Sequence, residues 1–563
     1  MESLKKYGSL AKTSWIKNPL ISSFFIFAFV FSAYGAFYLA TPGVSALDDH
    51  LFLFKYSELI REQGREAINN FHWLPLSRFS SGDTAYSVSL FNFALIPFTY
   101  FKDKLFGLKL SDIFIASLSL GIFYYALRKL RIKFAFLLVL FLLSIYYFSS
   151  RLLMGRAVLL ISSLVILEYY FAVNKKYKKL FVASFLHVLI HQATFFLPLL
   201  IAAAVEISRF ISAKTVFWKN IWPPIFAAII GMMFYPGFPG NLFGLSKTLI
   251  NLHGSILSSG DMGLVEGMEL ARTKLTSAVE HSTLLLLMLL ASFAVAVYYY
   301  LESKQRVGDE KNPAHTKLDL LHISSFLIAF AFFGGSLLLS GRFYDFYFTS
   351  AVLLFAITLQ RLAADEKIKI TTGAGKSLIA GTAIFLIVAA GNNFINIKRN
   401  VFRNDTNPWE KTSTWLKKQS SLNDLVFLQN WSHFPAAFFY NQQDNYTMGA
   451  EPKLLLDYNP QLFWEWFNIF RNNYYCGLPK NCFEEKQASL DSIRNDQNKK
   501  EEFEKKNSAL IIKAIREDFR SKLVLSDSSS LNNLLEKNPD MIADRFESKS
   551  KITGITVRAY VLK

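Results

Sequence analysis

The sequence predicts an α-helical polytopic membrane protein with a C-terminal soluble α/β domain, and three observations carry that prediction. Of 563 residues, 52% are hydrophobic and 16% aromatic, with 55 Phe. The apolar residues gather in runs near the roughly 20-residue length that a helix needs to cross a bilayer. Short Lys/Arg clusters separate the runs, and such clusters retain loops in the cytoplasm. They account for the formal net charge of +18 without nucleic acid, for which no binding motif is present.

Each span follows from the run and its flanks. Lys5, Lys6, Lys12 and Lys17 precede the first, about 19 to 41, which lacks a small-residue cleavage site and reads as an anchor with its N terminus inside. The next basic loop is Arg128, Lys129, Arg131 and Lys133. The segment from about 42 to 107 therefore lies outside, with 73 to 101 as a surface helix or re-entrant segment, before a span at about 108 to 127. Spans at about 134 to 150 and 157 to 173 bring Lys175, Lys176, Lys178 and Lys179 inside. The stretch 180 to 211 has basic residues at both ends, so an even number of crossings is expected, divided near His191 and Gln192. Further spans at about 219 to 237, 282 to 302, 318 to 340, 343 to 362 and 377 to 395 bring the total to about eleven and place the tail outside.

From about 396 to 563 the apolar runs give way to mixed charge, Asn and Ser. Leu425–Gln429, Ala509–Lys513 and Ile555–Leu562 read as strands, Thr412–Gln419 and Pro460–Arg471 as helices, and Glu484–Lys506 as a solvated helix. The cluster of Trp431, Phe434, Phe438, Phe439, Tyr440, Trp464, Trp466 and Phe467 reads as core, with a platform for sugar rings as the alternative. Cys476 and Cys482, the only cysteines, flank a turn-forming Gly-Leu-Pro-Lys-Asn insert and are expected to pair in an oxidising compartment. Asn404, Asn430 and Asn445 head short glycosylation-like triplets.

The candidate chemistry lies just after the first span. Ser45 and Asp48 have capping-box spacing, which starts a helix at about Ala46. Asp48, Lys55, Glu58, Glu62 and Arg65 then recur on one face and Phe52, Tyr56, Leu59 and Ile60 on the other, so the helix is expected to lie on the membrane surface until Gly64 ends it. His72, Trp73 and Pro75 open a second element with Pro near a helix start. Adjacent carboxylates at Asp48 and Asp49 are costly in lipid and suit a site at the water-exposed face.

Asp48-Asp49, then Lys55-Tyr56, then Gly64, directly after the first span, resembles the opening pattern of the GT-C superfamily of lipid-phosphosugar-dependent glycosyltransferases, and Trp73-Leu-Pro-Leu resembles the start of their second external helix. The resemblance is architectural over about residues 1 to 400 and residue-specific over about 45 to 76. It implies a GT-C-like catalytic domain over residues 1–395, a polyprenyl-phosphate-linked sugar as donor, and a glycan, lipid or protein acceptor outside the bacterial inner (cytoplasmic) membrane. By order Asp48 takes the catalytic position and Asp49 the supporting one. Gly64 falls a residue late and Lys55 replaces Arg, so the two aspartates remain interchangeable as the base.

Transfer requires a base for the acceptor hydroxyl and cations for the departing phosphate. Arg151, Arg156 and Arg342 fall at the outer boundary, and Arg342, in the turn Gly341-Arg342-Phe343-Tyr344-Asp345, is the preferred phosphate ligand. Snorkelling to lipid, or pairing with an acid such as Asp345, is the bland alternative. Lys55, His72 and His191 are further substrate-binding candidates, with a structural histidine the more ordinary reading of each imidazole. The Gly-rich stretch 238 to 281 suits a lid, and its Glu266 joins Asp48 and Asp49 as a candidate ligand for Mg²⁺ or Mn²⁺. A transporter or flippase for envelope lipids, or a non-catalytic envelope-assembly scaffold, is the alternative to an enzyme.

Overall fold

The structure, a computed structural model, describes residues 18–77, 79, 88–236, 238–240, 273–305, 313–364, 373–449, 452–475, 482–492 and 496–563. Its membrane part is a helical bundle. Among the described residues seven helices are long and apolar enough to cross a bilayer: Pro19–Tyr38, Lys104–Lys129, Gln192–Ala213, Ser282–Tyr299, Leu318–Leu338, Phe343–Ala363, and the apolar part of Ser377–Gln419. The other four expected spans also form helices, but broken or short ones. Ala135–Ser144 and Tyr146–Leu152 meet at 92°, and Ala157–Val173, Tyr177–Ile190 and Trp222–Met233 have 17, 14 and 12 residues. Of the about eleven spans expected, seven are formed at full length among the described residues, or eight with the bent pair counted as one.

Local chemistry explains these elements. Asn18 caps the first helix by accepting from Leu20 N at 2.9 Å, and Pro19 takes the first helical position, where its missing N–H costs nothing. At Ile145 the backbone turns extended, and the Asn393 side chain donates to the freed carbonyls of Leu143 and Ser144. Break and repair occur together because an orphaned carbonyl in an apolar bundle is costly. The stretch 180 to 211 breaks at His191, as expected. Ala157–Val173 sits centrally, against Lys104–Lys129, Tyr177–Ile190, Leu197–Ala213 and Phe343–Ala364. Its Ser163 lies 2.8 Å from Ser119 of Lys104–Lys129, a small-residue contact that lets backbones approach. Leu20, Phe24, Phe25, Ile384, Phe385 and Val388 point outward, an apolar surface that lipid covers.

The C-terminal region carries a five-stranded sheet, β1 (Leu425–Leu428), β2 (Asn445–Tyr446), β3 (Leu523–Ser526), β4 (Ile542–Lys549) and β5 (Thr556–Leu562), in the order β2-β1-β3-β5-β4. β1 is parallel to β2 and β3, and the β3-β5-β4 edge is antiparallel. One expected strand is a helix. Ala509–Lys513 lies within Gln497–Glu517, where Ile511, Ile512 and Ile515 share one buried face and the Glu- and Lys-rich residues before them favour helix.

One face of this sheet shares its core with the segment after the first helix. Phe52 lies 5.4 Å from Phe434 and 5.2 Å from Phe438 between ring centroids, and Trp73 Nε1 donates to the Gln442 carbonyl at 2.9 Å. Thus the stripe Phe52, Tyr56, Leu59 and Ile60 of helix Asp49–Gln63 is buried, and Phe52 and Tyr56 pack on aromatic rings rather than on a membrane surface. Phe434, Phe438 and Phe439 are core on this face and Trp466 on the other, so these aromatics are not an open platform. No helix starts at Pro75; the described residues there form turns, and helix resumes at Leu90–Leu95. Cys476 lies outside the described residues, and so does its pairing with Cys482. Glu266 and the lid expected over 238 to 281 fall largely outside them as well.

Candidate active site

The acid pair is placed by a loop pressed against the last bundle helix, Gly373–Arg403. Val44 N donates to the Asn404 carbonyl at 3.2 Å, the Asn404 side chain donates to the Ser45 carbonyl at 2.8 Å, and Ser45 N donates to Tyr38 Oη at 3.0 Å. Gly43 has no room for a side chain, since a Cβ there would lie 2.0 Å from the Val401 carbonyl. The helix then begins at Asp49, three residues later than the capping pattern predicts. Asp48 occupies the N-cap position with extended backbone, but its carboxylate makes no capping bond. Arg156 and His50 take it instead.

Arg156 Nη2 lies 2.5 Å from Asp48 Oδ2 and 3.8 Å from Asp49 Oδ2, while His50 Nδ1 lies 3.0 Å from Asp48 Oδ1. Behind His50, its Nε2 lies 4.0 Å from Asp112 Oδ2, and Tyr38 Oη donates to that same oxygen at 2.9 Å. Arg156 reaches the pair because Gly155 before it adopts φ +56°, a left-handed conformation that glycine tolerates. A Cβ on Gly155 would also lie 2.1 Å from Asp112 Oδ1. Nearby, Lys109 donates to the Thr41 carbonyl.

This arrangement divides the two aspartates. Burial works to raise the Asp48 pKa, but the Arg156 guanidinium and then His50 outweigh it and hold the carboxyl well below the usual range. Burial likewise opposes charge on His50, and Asp112 and Asp48 together overcome it, so the imidazole is more basic than usual. Asp48 has both oxygens engaged. Asp49 is half exposed and shares the same guanidinium at longer range.

The other candidates are dispersed. Lys55, about 9 Å along the helix axis from Asp49 at about 1.5 Å per residue, donates to Glu58 at 2.7 Å, and Lys104 and Arg61 lie 2.6 and 3.6 Å from that buried carboxylate. His72 is exposed, stacks on Trp73 at 4.3 Å and has Nδ1 3.0 Å from the Asn70 carbonyl. Arg151 is buried in a two-pronged pair with Asp345, at 2.5 and 2.7 Å, as the bland alternative anticipates for one arginine. Arg342 is partly exposed, with its backbone N–H 3.3 Å from Ser340 Oγ. His191 sits in the turn at the helix break, with Nδ1 3.0 Å from Thr194 Oγ1.

Asp112, Tyr38 and Gly155 escaped the sequence reading, and His50 received no role in it. A signal existed for Asp112, because an acid inside an apolar run is rarely incidental. Nothing local marks its distance from His50. For a divalent cation the fit is poor: Asp48 is already compensated by Arg156 and His50, and among the described residues no three His, Cys, Asp or Glu side chains are arranged to hold a metal.

Fold and site together define an integral membrane protein of polytopic helical type, with an acid–arginine cluster where a helical bundle meets a small α/β module. No protein-family model matches the chain, and no curated protein matches it.

Proposed function

We propose that the chain is a membrane glycosyltransferase of GT-C type, transferring a sugar from a polyprenyl-phosphate-linked donor to an extracytoplasmic envelope glycan, lipid or protein with inversion. The observation that carries this reading is the unequal sharing of Arg156, which immobilises Asp48 and leaves Asp49 half exposed beside it. Asp49 is the base. It takes the proton of the acceptor hydroxyl as that oxygen bonds to the anomeric carbon, and the bond from that carbon to the phosphate oxygen breaks. The departing phosphate, with the bonding electron pair, moves toward Arg342. Asp48, Arg156, His50 and Asp112 act as positioning groups that fix the helix start bearing Asp49. In this reading all eleven apolar segments span or enter the bilayer, and the α/β module stands outside over the acid pair.

Purified full-length chain incubated with radiolabelled polyprenyl-phosphate sugars and membrane acceptors tests the proposal. Label transferred by the native chain and lost in Asp49→Asn supports it; no transfer from any such donor, or equal transfer by the variant, contradicts it. A second reading, an envelope-lipid transporter, draws on one observation: Glu168 and His187 form a fully buried ionisable pair in the bundle. Lipid translocation in vesicles without transfer favours that reading.

A further inference from the structure

Four side chains in the bundle form one hydrogen-bonded line that the transfer step above leaves unused. His187 Nδ1 lies 3.1 Å from Glu168 Oε1, His187 Nε2 lies 3.0 Å from Thr194 Oγ1, and the same hydroxyl lies 3.0 Å from His191 Nδ1. Glu168, His187 and Thr194 are all buried. At one end, Glu168 lies toward the part of helix Ala157–Val173 that meets the basic turn at Lys175 and Lys176. At the other, the turn holding His191 packs beside the turn holding Arg342, with Phe196 and Phe343 ring centroids 6.2 Å apart. Among the described residues, Tyr235, whose hydroxyl lies in donating reach of the Val188 and Leu189 carbonyls, and the turn bearing Arg342 lie beside the line.

The Thr194 hydroxyl has one proton to give and three acceptors in reach, the two imidazoles and the His191 carbonyl at 3.1 Å; when that proton turns from the carbonyl to a ring, the line has two ordered states. In the first, the Glu168 carboxylate accepts from His187 Nδ1, Thr194 donates to His187 Nε2, and His191 Nδ1 donates to Thr194, leaving His191 Nε2 unprotonated. In the second, every bond is reversed, Glu168 carries a proton and His191 Nε2 bears one to donate. We infer that this line is a proton relay serving a phosphate monoester bound beside Arg342: one proton enters at Glu168 for each that leaves on a phosphate oxygen from His191 Nε2. The inference rests on the proposed phosphate role of Arg342. Chemically, the relay lowers the charge of a departing monoester dianion without admitting water to the bundle.

The test is calorimetric titration of the full-length chain with dodecyl phosphate at pH 8, where the free monoester is mostly dianion because its second pKa is about 6. Heats measured in buffers of different ionisation enthalpy give the protons taken up on binding. A dianion accepting from His191 Nε2 selects the second state, in which Glu168 carries the added proton, so the relay predicts uptake of about one proton by the native chain and little by Glu168→Gln or Thr194→Val, each of which leaves Arg342 in place. Thr194→Val keeps the shape of the side chain and removes only the hydroxyl. Binding without uptake by the native chain, or uptake persisting in both variants, overturns the relay alone. Failure of dodecyl phosphate to bind overturns the Arg342 reading and the relay with it.

Discussion

Arg156 bonds Asp48 at 2.5 Å, so the first carboxylate of the acid pair is held as part of the scaffold. The same guanidinium is 3.8 Å from Asp49. One cation thereby pairs closely with the first carboxylate and at longer range with its half-exposed neighbour.

Removing that cation leaves Asp48 largely buried and only partly compensated by His50. Arg156→Gln is expected to destabilise the protein, by less than the about 3–5 kcal/mol of breaking a fully buried pair because Arg156 and Asp48 are part-buried. Urea or thermal unfolding of the detergent-solubilised chain measures it, and an unchanged midpoint contradicts the pairing.

His50 supplies a pH dependence of definite sign. Its folded pKa is raised, so its stabilising contribution is complete below its unfolded value of about 6.5 and is lost as pH rises through the higher folded value. The difference in Tm between the native chain and His50→Gln should therefore shrink as pH rises above neutrality. Asp48, with a depressed pKa, contributes in the opposite sense: its stabilisation holds above about 3.9 and is lost only as pH falls through its lower folded value. A Tm difference for His50→Gln that grows with pH contradicts this account.

Gly155→Ala combines a left-handed backbone with a Cβ directed at Asp112. The backbone alone costs about 1–3 kcal/mol. Tm should fall, and displacement of Arg156 should lower transfer per folded molecule; a variant as stable as the native chain contradicts the site geometry.

Arg151 and Arg342 should separate. Asp345→Asn leaves Arg151 buried without its partner, with an expected loss of about 3–5 kcal/mol, while the paired replacement Arg151→Met with Asp345→Leu recovers most of it. Arg342→Gln is expected to leave the unfolding free energy within about 0.5 kcal/mol of native, as partly exposed sites do, while raising KM for the lipid-linked donor. Equal effects of the two substitutions on KM contradict the division.

Apolar runs and basic clusters made the membrane class legible, and the break at His191 followed from charge at both ends of 180 to 211. Span length was less legible. The 92° turn at Ile145 depends on Asn393, some 250 residues away, which repairs the carbonyls that the turn exposes. Ala509–Lys513 reads as a strand in isolation, but its neighbours and its burial face make it a helix. At the site, adjacent aspartates were visible as a motif, while their unequal environments were not. Those environments come from Asp112 on helix Lys104–Lys129 and from Gly155 and Arg156 in the loop before helix Ala157–Val173. The apolar stripe of helix Asp49–Gln63 is legible in the sequence, while its partner, the distant helix Phe434–Tyr440, is not.

In the proposed transfer Asp49, rather than Asp48, removes the acceptor proton. The most direct measurement is kcat for sugar transfer from a polyprenyl-phosphate donor by Asp49→Asn and Asp48→Asn, alongside the Tm of each. Loss of a general base predicts a fall of about 10²–10⁴-fold in kcat for Asp49→Asn with Tm nearly unchanged, and for Asp48→Asn a lowered Tm with a smaller loss of kcat. A full loss of kcat in Asp48→Asn at native Tm, with Asp49→Asn active, contradicts the assignment.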